Sequence, residues 1–183
     1  MVDLPIGDGK PYLSHLNGIV NRIVGDWGID GVTTFQRGFP LVFSNGQTND
    51  ATLFGAGSRP NIVPSCAKSR TGSGGRLQSW FNTSCFSDPA DFTFGSEPRV
   101  DATLRSDGVR NFDFAAFKRI VLNQREHLGM EFRVEFFNLL NQVQFAPPDT
   151  TCCAANNPDF GVVTSAVPGT NPRLVQFAAK LAF

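Results

Sequence analysis

The sequence predicts an all-β protein, an antiparallel meander with long irregular loops, and three observations carry that expectation. The closing stretch, residues 173–183, reads R-L-V-Q-F-A-A-K-L-A-F, with Val175, Phe177, Ala179, Leu181 and Phe183 apolar at every second place. Residues 128–136 alternate in the same way, Leu128, Met130, Phe132, Val134 and Phe136 against Gly129, Glu131, Arg133 and Glu135. Composition agrees, because 18 Phe, 18 Gly and 12 Pro in 183 residues suit short strands and turns rather than helices. A period of two sends alternate side chains to opposite faces, so each stretch has one apolar face and one face that can meet water. The closing strand is also long enough to cross a bilayer at a tilt, which takes about 9–11 residues. The same pattern fits the edge of a soluble sandwich, and the strand alone does not separate the two.

The remaining bounds are set by charge, cysteines and the amino terminus. Formal net charge is zero, which gives no reason to expect a nucleic-acid partner. No apolar run approaches the roughly 18 residues of a membrane helix, a fact that says nothing about barrel strands. The start, M-V-D-L-P-I-G-D-G-K, has no basic region, apolar core or cleavage site of a leader. A barrel needs one for export, so the barrel reading expects this chain to be the tail of a longer protein. Cys66, Cys85, Cys152 and Cys153 form no zinc pattern with His15 or His127, and no metal or other cofactor is implied. Cys66 and Cys85 bracket a Gly/Ser-rich segment and suit a disulfide in an oxidising compartment or, equally, two free thiols. Cys152 and Cys153 can pair with each other or with other chains.

Taken in order, residues 2–6 read as a strand end, stopped by Pro5 and the turn Gly7-Asp8-Gly9-Lys10. G-D-G-K lacks the spacing of a phosphate loop. Leu13, Leu16, Val20, Ile23 and Val24 fall near helical spacing and predict a short amphipathic helix within 13–24, weakened by Gly18. Residues 27–44 form the first clear strand region. Trp27, Ile29, Gly31, Thr33 and Phe35 share one face, Gly28, Asp30, Val32, Thr34 and Gln36 the other. The pattern resumes at Phe39, Leu41 and Phe43 after a bend at Gly38 and Pro40. Trp27 suits a membrane–water boundary.

Residues 45–110 are rich in Gly, Ser, Asn, Asp and Pro and read as one long irregular region. Within it, residues 70–76 (R-T-G-S-G-G-R) are a flexible basic loop, with anion binding a minor alternative. The aromatic islands at 80–83 and 92–95 are expected chiefly to pack that region onto the body. Strand order returns at Asn111, where Phe112, Phe114 and Ala116 alternate with Asp113, Ala115 and Phe117 and the register blurs at Lys118 and Arg119. A turn at 123–126 leads into the charged strand at 128–136. Its three successive charges are too costly to bury unpaired in a dry core, and suit a wet lumen or bulk water. Residues 142–158 are a Pro/Asn-rich connection, 160–167 a short strand, and 168–171 a turn into the closing strand.

These pieces together resemble a family. D-L-P-I-G-D-G-K followed by G-D-W-G-I-D-G-V-T-T-F-Q-R-G-F-P-L is similar to the late strands of Oar-like TonB-dependent outer-membrane transporters. R-P-N, W-F-N-T-S-C-F, N-F-D-F-A-A-F-K, E-F-R-V-E-F-F-N-L-L-N and N-P-R-L-V-Q-F-A-A-K-L-A-F look like the same family in the same order, over nearly the whole chain. The resemblance implies part of a large transmembrane β-barrel of roughly 22 strands, to which this chain gives about five to seven. It implies an outer-membrane location, contact with outer-membrane lipid, and energised uptake of a large nutrient such as a metal chelate or an oligosaccharide. It also implies a plug domain and a TonB complex, reached only through an amino-terminal part that this chain lacks. Phe177, Ala179, Leu181 and Phe183 are implied to be read by the barrel-assembly machinery.

On that reading Asp113, Glu131, Arg133, Glu135 and Lys180 are expected to face the lumen, and Met130, Phe132, Val134, Phe136, Phe177 and Leu181 the lipid. With a periplasmic carboxy terminus, counting strands backwards puts 168–171 outside, 142–158 inside and 123–126 outside. Either the long region 45–110 then hides an odd number of further strands, which is the preferred reading, or the count itself is wrong. Two other readings remain beside transport: a structural or adhesive surface protein anchored by the same barrel, and a secreted soluble β-sandwich. Enzyme activity is not expected, since no nucleophile, base and orienting group recur together.

Overall fold

The computed structural model describes residues 1–47, 58–69, 76–123, 128–154 and 157–183. The basic Gly-rich loop at 70–76, apart from Arg76, the turn at 124–126 and His127 lie outside these. The chain divides into two compact units, one of Met1–Phe35, Arg110–Gln142 and Asn171–Phe183, the other of Gln36–Val109 and Val143–Thr170.

The first unit is a single sheet. Its strands are β1 (Val2–Asp3), β2 (Trp27–Gln36), β3 (Val109–Asn123), β4 (Leu128–Phe137) and β5 (Leu174–Ala182), and they lie in the order β1-β2-β3-β4-β5. Chain order and spatial order coincide, which is the expected meander. β1 with β2, β3 with β4 and β4 with β5 pair antiparallel. β2 and β3 also run oppositely, since Gly28 lies against Phe117, Gly31 against Asp113 and Gln36 against Gly108. One helix, α1 (Gly18–Val24), stands between β1 and β2. It is shorter than the 13–24 periodicity suggests. Leu13 is in the left-handed region, at φ 58°, and Asn17 is extended, its side chain accepting from the Val20 amide as an N-cap. Gly18 therefore starts the helix rather than weakening its middle.

Residues 160–167 do not form the expected strand. Phe160 and Ala166 make isolated bridges only, and β4 pairs directly with β5 over nine residue pairs. The alternating residues there are apolar enough for a strand, but Gly161 sits at φ 82° and breaks the run after one residue. The backward count was thus one strand too long. With it removed, 37–108 and 138–173 both leave and rejoin the sheet at the same strand ends, and no hidden odd strand is needed.

The second unit is not the loose region its composition suggests. Phe43, Phe81, Phe86 and Phe160 form a mutual aromatic cluster with ring centroids 4.5–6.4 Å apart. Leu41, Trp80, Cys85, Leu104 and Cys152 are buried with them. Its strands are two-residue to five-residue pairs, such as Asn61–Ile62 with Phe86–Ser87. Cys66 bonds Cys85 and Cys152 bonds Cys153, which leaves no free thiol. Closure of the 66–85 loop compensates for sheet pairing too short to hold a fold alone. Of the two aromatic islands, Trp80 and Phe81 pack inward as expected. Phe92 and Phe94 do not: Phe92 is 73% exposed.

Candidate functional site: the charged face of the sheet

Parity along each strand and register between strands decide which side chains meet. Asp113, Ala115, Phe117 and Arg119 of β3 share a face with Glu131, Arg133 and Glu135 of β4 and with Gln176, Ala178 and Lys180 of β5. Glu131 stands between Arg119 on one side and Lys180 on the other, and Glu135 between Ala115 and Gln176. Asp30 and Gly28 of β2 join the same face, since the Arg133 guanidinium lies 3.9 Å from Asp30 and the Phe117 ring lies over Gly28.

The charges interlock. Arg133 reaches Glu135 at 3.2 Å along its own strand, while Arg119 reaches Glu131 at 3.4 Å and Asp3 at 3.4 Å. The side chains remain about a quarter to half exposed, so each pair contributes about 0.2–1 kcal/mol and is weakened by salt. Their chief effect is to hold alternating charge in one plane without the cost of burying an unpaired ion. Asp113 has a different task. It accepts from the Asn138 amide at 2.9 Å and from Asn111 at 2.9 Å, and so fixes the left-handed turn that ends β4. Asp30, Asp113, Arg133 and Glu135 line a hollow of about 170 Å³.

Phe117 is the most buried side chain of this face, at 0% exposure. The Arg119 guanidinium lies 4.9 Å from its ring centre and that of Arg133 5.4 Å, two cation–π contacts to one ring. A Cβ on Gly28 would fall 2.2 Å from the ring, so only glycine leaves room for it. Sequence reasoning set Phe117 on the face of Asp113 and Ala115 but lost the register at Lys118 and Arg119, although the same parity carries Arg119 onto the charged face.

The opposite face carries Met130, Phe132, Val134 and Phe136 of β4, Val175, Phe177, Ala179 and Leu181 of β5, and Phe114, Ala116 and Ile120 of β3. Register sets Phe177 beside Val134, Leu181 beside Met130 and Ala179 beside Phe132. Phe35 and Phe112 add an edge-to-face pair with centroids 5.4 Å apart. Phe183 follows the end of β5 and is almost fully exposed. The exception on this face is Lys118, level with Phe132. Its ammonium donates to the Gly25 carbonyl and lies 5.4 Å from the Trp27 ring. The stem thus covers apolar surface while the charge ends at a backbone oxygen near the strand's edge.

The second unit holds a separate buried cluster that no sequence pattern announces. Glu97 and Asp101 are both 1% exposed, and Lys68 pairs with each of them, at 3.7 Å from Glu97. Burial pushes the Glu97 carboxyl up to about 7, an effect that Lys68 only partly offsets. Burial also raises Asp101, but hydrogen bonds from Lys68 and Thr103 outweigh it and hold that carboxyl below its usual range. Among the described residues, no group of three or more His, Cys, Asp and Glu is arranged to hold a metal.

An all-β sheet with one charged and one apolar face also has a counterpart among known families. Residues 1–176 match the family described as an outer membrane beta barrel domain. No curated protein and no solved structure gave a match. The match covers all but the last seven residues, takes in both units, and sets aside the soluble sandwich. The chain belongs to the outer membrane β-barrel domain family and is a protein of the outer membrane.

Proposed function

We propose that this chain forms part of the wall of a TonB-dependent, Oar-like transporter that takes up a large nutrient, a metal chelate or an oligosaccharide. The observation that carries the reading is the interlocked charged face spanning β2 to β5, backed by a continuous apolar face. Charges in that density need water, and the opposite face needs lipid, which is the division of a wide barrel wall. On this reading Asp113, Glu131, Arg133, Glu135 and Lys180 face the lumen, and Met130, Phe132, Val134, Phe136, Phe177 and Leu181 face acyl chains. The ordered motifs from D-L-P-I-G-D-G-K to the closing strand support the transporter family specifically. The second unit joins residues 36–109 and 143–170 in one core, and on this reading both excursions reach the same compartment. Long connections are extracellular in such barrels, which puts that unit outside and the Phe183 end in the periplasm, with Phe177, Ala179, Leu181 and Phe183 available to the assembly machinery.

The test is growth of a strain lacking the gene on chelated metals and oligosaccharides as limiting nutrients, beside a strain lacking TonB. Loss of growth on the same nutrient in both, restored by the gene, is the expected outcome. Unchanged growth on every nutrient that requires TonB refutes transport.

A second reading, an adhesive surface protein anchored by the same barrel, is favoured by one observation. The disulfide-braced unit presents a hollow of about 260 Å³ lined by Phe39, Leu41, Val42, Pro147, Pro148 and Thr150. Loss of cell-surface binding without any uptake defect in the same strain would select it.

A further inference from the structure

The helix α1 is built inside out. At about 100° per residue, Ile19 and Ile23 project on one side of it and Asn21 on the opposite side. Asn21 is the residue that faces the protein. Its side-chain oxygen accepts from the Asp8 amide at 2.8 Å, and a Cβ on Gly7 would meet that oxygen at 3.1 Å and the Gly25 Cα at 2.9 Å. The polar side is thus pressed against the turn at 7–10, while Ile19 is 76% exposed and Ile23 65% exposed. A seven-residue helix has little stability of its own in water, where about 12–15 residues are marginal even in Ala-rich sequence. An exposed apolar stripe on so short a helix adds no stability in water either.

Three features tie this stripe to the apolar face of the sheet. The Trp27 indole, on that face, donates to the Ile23 carbonyl at 2.9 Å. Lys118, on the same face, donates to Gly25 at the helix end. Tyr12 and Leu13, just before the helix, are exposed as well. A Trp at a strand's start, a Lys with its charge carried to the edge and a nearby Tyr are the side chains that gather where hydrocarbon meets water. Arg22 lies on the flank of the stripe, about 60° from Ile19, where a cation meets lipid phosphate rather than acyl chain.

We propose that α1 is an interfacial anchor, with Ile19 and Ile23 seated in the lipid of the periplasmic leaflet beside the barrel wall. The occupant is phospholipid, because the stripe continues the apolar face of a sheet that belongs to an outer-membrane barrel. This rests on the assignment of that face to lipid, and the experiment separates the two. A photoreactive benzoylphenylalanine is placed singly at Ile19, Ile23, Phe132 and Val32 in the full-length protein in outer membranes, with heat-modifiable migration as the check on folding. Val32 is an exposed residue of the charged face. Lipid adducts at Ile19, Ile23 and Phe132, at least several-fold above Val32, are expected. Lipid adducts at Phe132 with protein adducts, or none, at Ile19 and Ile23 overturn the anchor and leave the sheet assignment standing. Adducts at Val32 and none at Phe132 overturn the face assignment, and the anchor with it.

Discussion

Replacing Gly28 with alanine tests whether the charged face is organised around Phe117. The added methyl would lie 2.2 Å from Cζ and 2.4 Å from Cε2 of that ring, well inside contact distance. The ring is fully buried and already has the Arg119 and Arg133 guanidinium groups 4.9 and 5.4 Å from its centre, so it has little room to shift within the face. It must therefore swing out of its slot. Fully burying a Phe side chain contributes about 1.5–3 kcal/mol, and two partly exposed cation–π contacts add about 0.5–1 kcal/mol each. Part of this is recovered by relaxation, so Gly28→Ala should cost about 1–3 kcal/mol, the usual range for overpacking. The assay is urea unfolding of the protein in detergent micelles, followed by heat-modifiable migration. Phe117→Leu should cost less on its own, and combining it with Gly28→Ala should add little further, a coupling of about 0.5–3 kcal/mol between touching side chains. An unshifted midpoint for Gly28→Ala, or strictly additive losses in the pair, would show that the ring does not occupy that slot.

Three other perturbations probe the rest of the chain. Phe132→Arg, on the apolar face, should cost about 2–4 kcal/mol if the site lies near the bilayer midplane, and assembly equal to that of the parent would refute the lipid assignment. Replacing both Cys66 and Cys85 with Ser should lower the stability of the second unit by about 2–4 kcal/mol, read as earlier proteolysis of that unit. A parent that gains free thiols only under reducing conditions confirms the bond itself. Glu97 has its folded pKa raised from 4.5 to about 7, so the folded state keeps a proton that the unfolded state has already lost. Stability of the second unit should fall as pH rises from about 4.5 to about 7 and level off above that window. Asp101, held low, contributes stability present above its ordinary value and lost as pH falls below it. Glu97→Gln should flatten the slope between pH 4.5 and 7, and a slope unchanged in that variant would exclude Glu97 as its source.

The sheet was legible wherever alternation was uninterrupted. Residues 128–137 and 174–182 could be assigned to faces from period alone, because a one-residue slip would turn every charge toward the apolar side. β3 was harder. Phe117 and Lys118 invert the pattern locally, an aromatic among charges followed by a cation among apolar groups. Each inversion is compensated by a partner far away in sequence, Gly28 under the ring and the Gly25 carbonyl at the ammonium. No local rule reveals such partners. The second unit was illegible for a related reason. Its core is made by Phe43, Phe81, Phe86 and Phe160, which are spread over more than a hundred residues of Gly- and Pro-rich chain, and its strands are too short to leave a period. Lys68, Glu97 and Asp101 likewise meet only through that core.

That core also constrains the sidedness of the proposed barrel wall, which strand counting missed. Phe160 packs against Phe43, Phe81 and Phe86, so the connection after β4 and the excursion between β2 and β3 share one core and, on the proposed barrel reading, one aqueous compartment. An antiparallel wall allows this because an even number of strands, β3 and β4, separates the exit of one excursion from the exit of the other. Residues 160–167 follow that exit and form isolated bridges only, so the chain passes from β4 to its neighbour β5 without a further strand of the sheet. Gly161, at φ 82°, supplies the local reason for its failure to extend. A Cβ at Gly161 would meet Thr83 Cγ2 at 2.9 Å and the Phe81 ring at 3.5 Å, so the position is held by close packing as well as by its backbone. The same glycine therefore ends a would-be strand and packs beside Phe160 against the aromatic cluster that holds the second unit together.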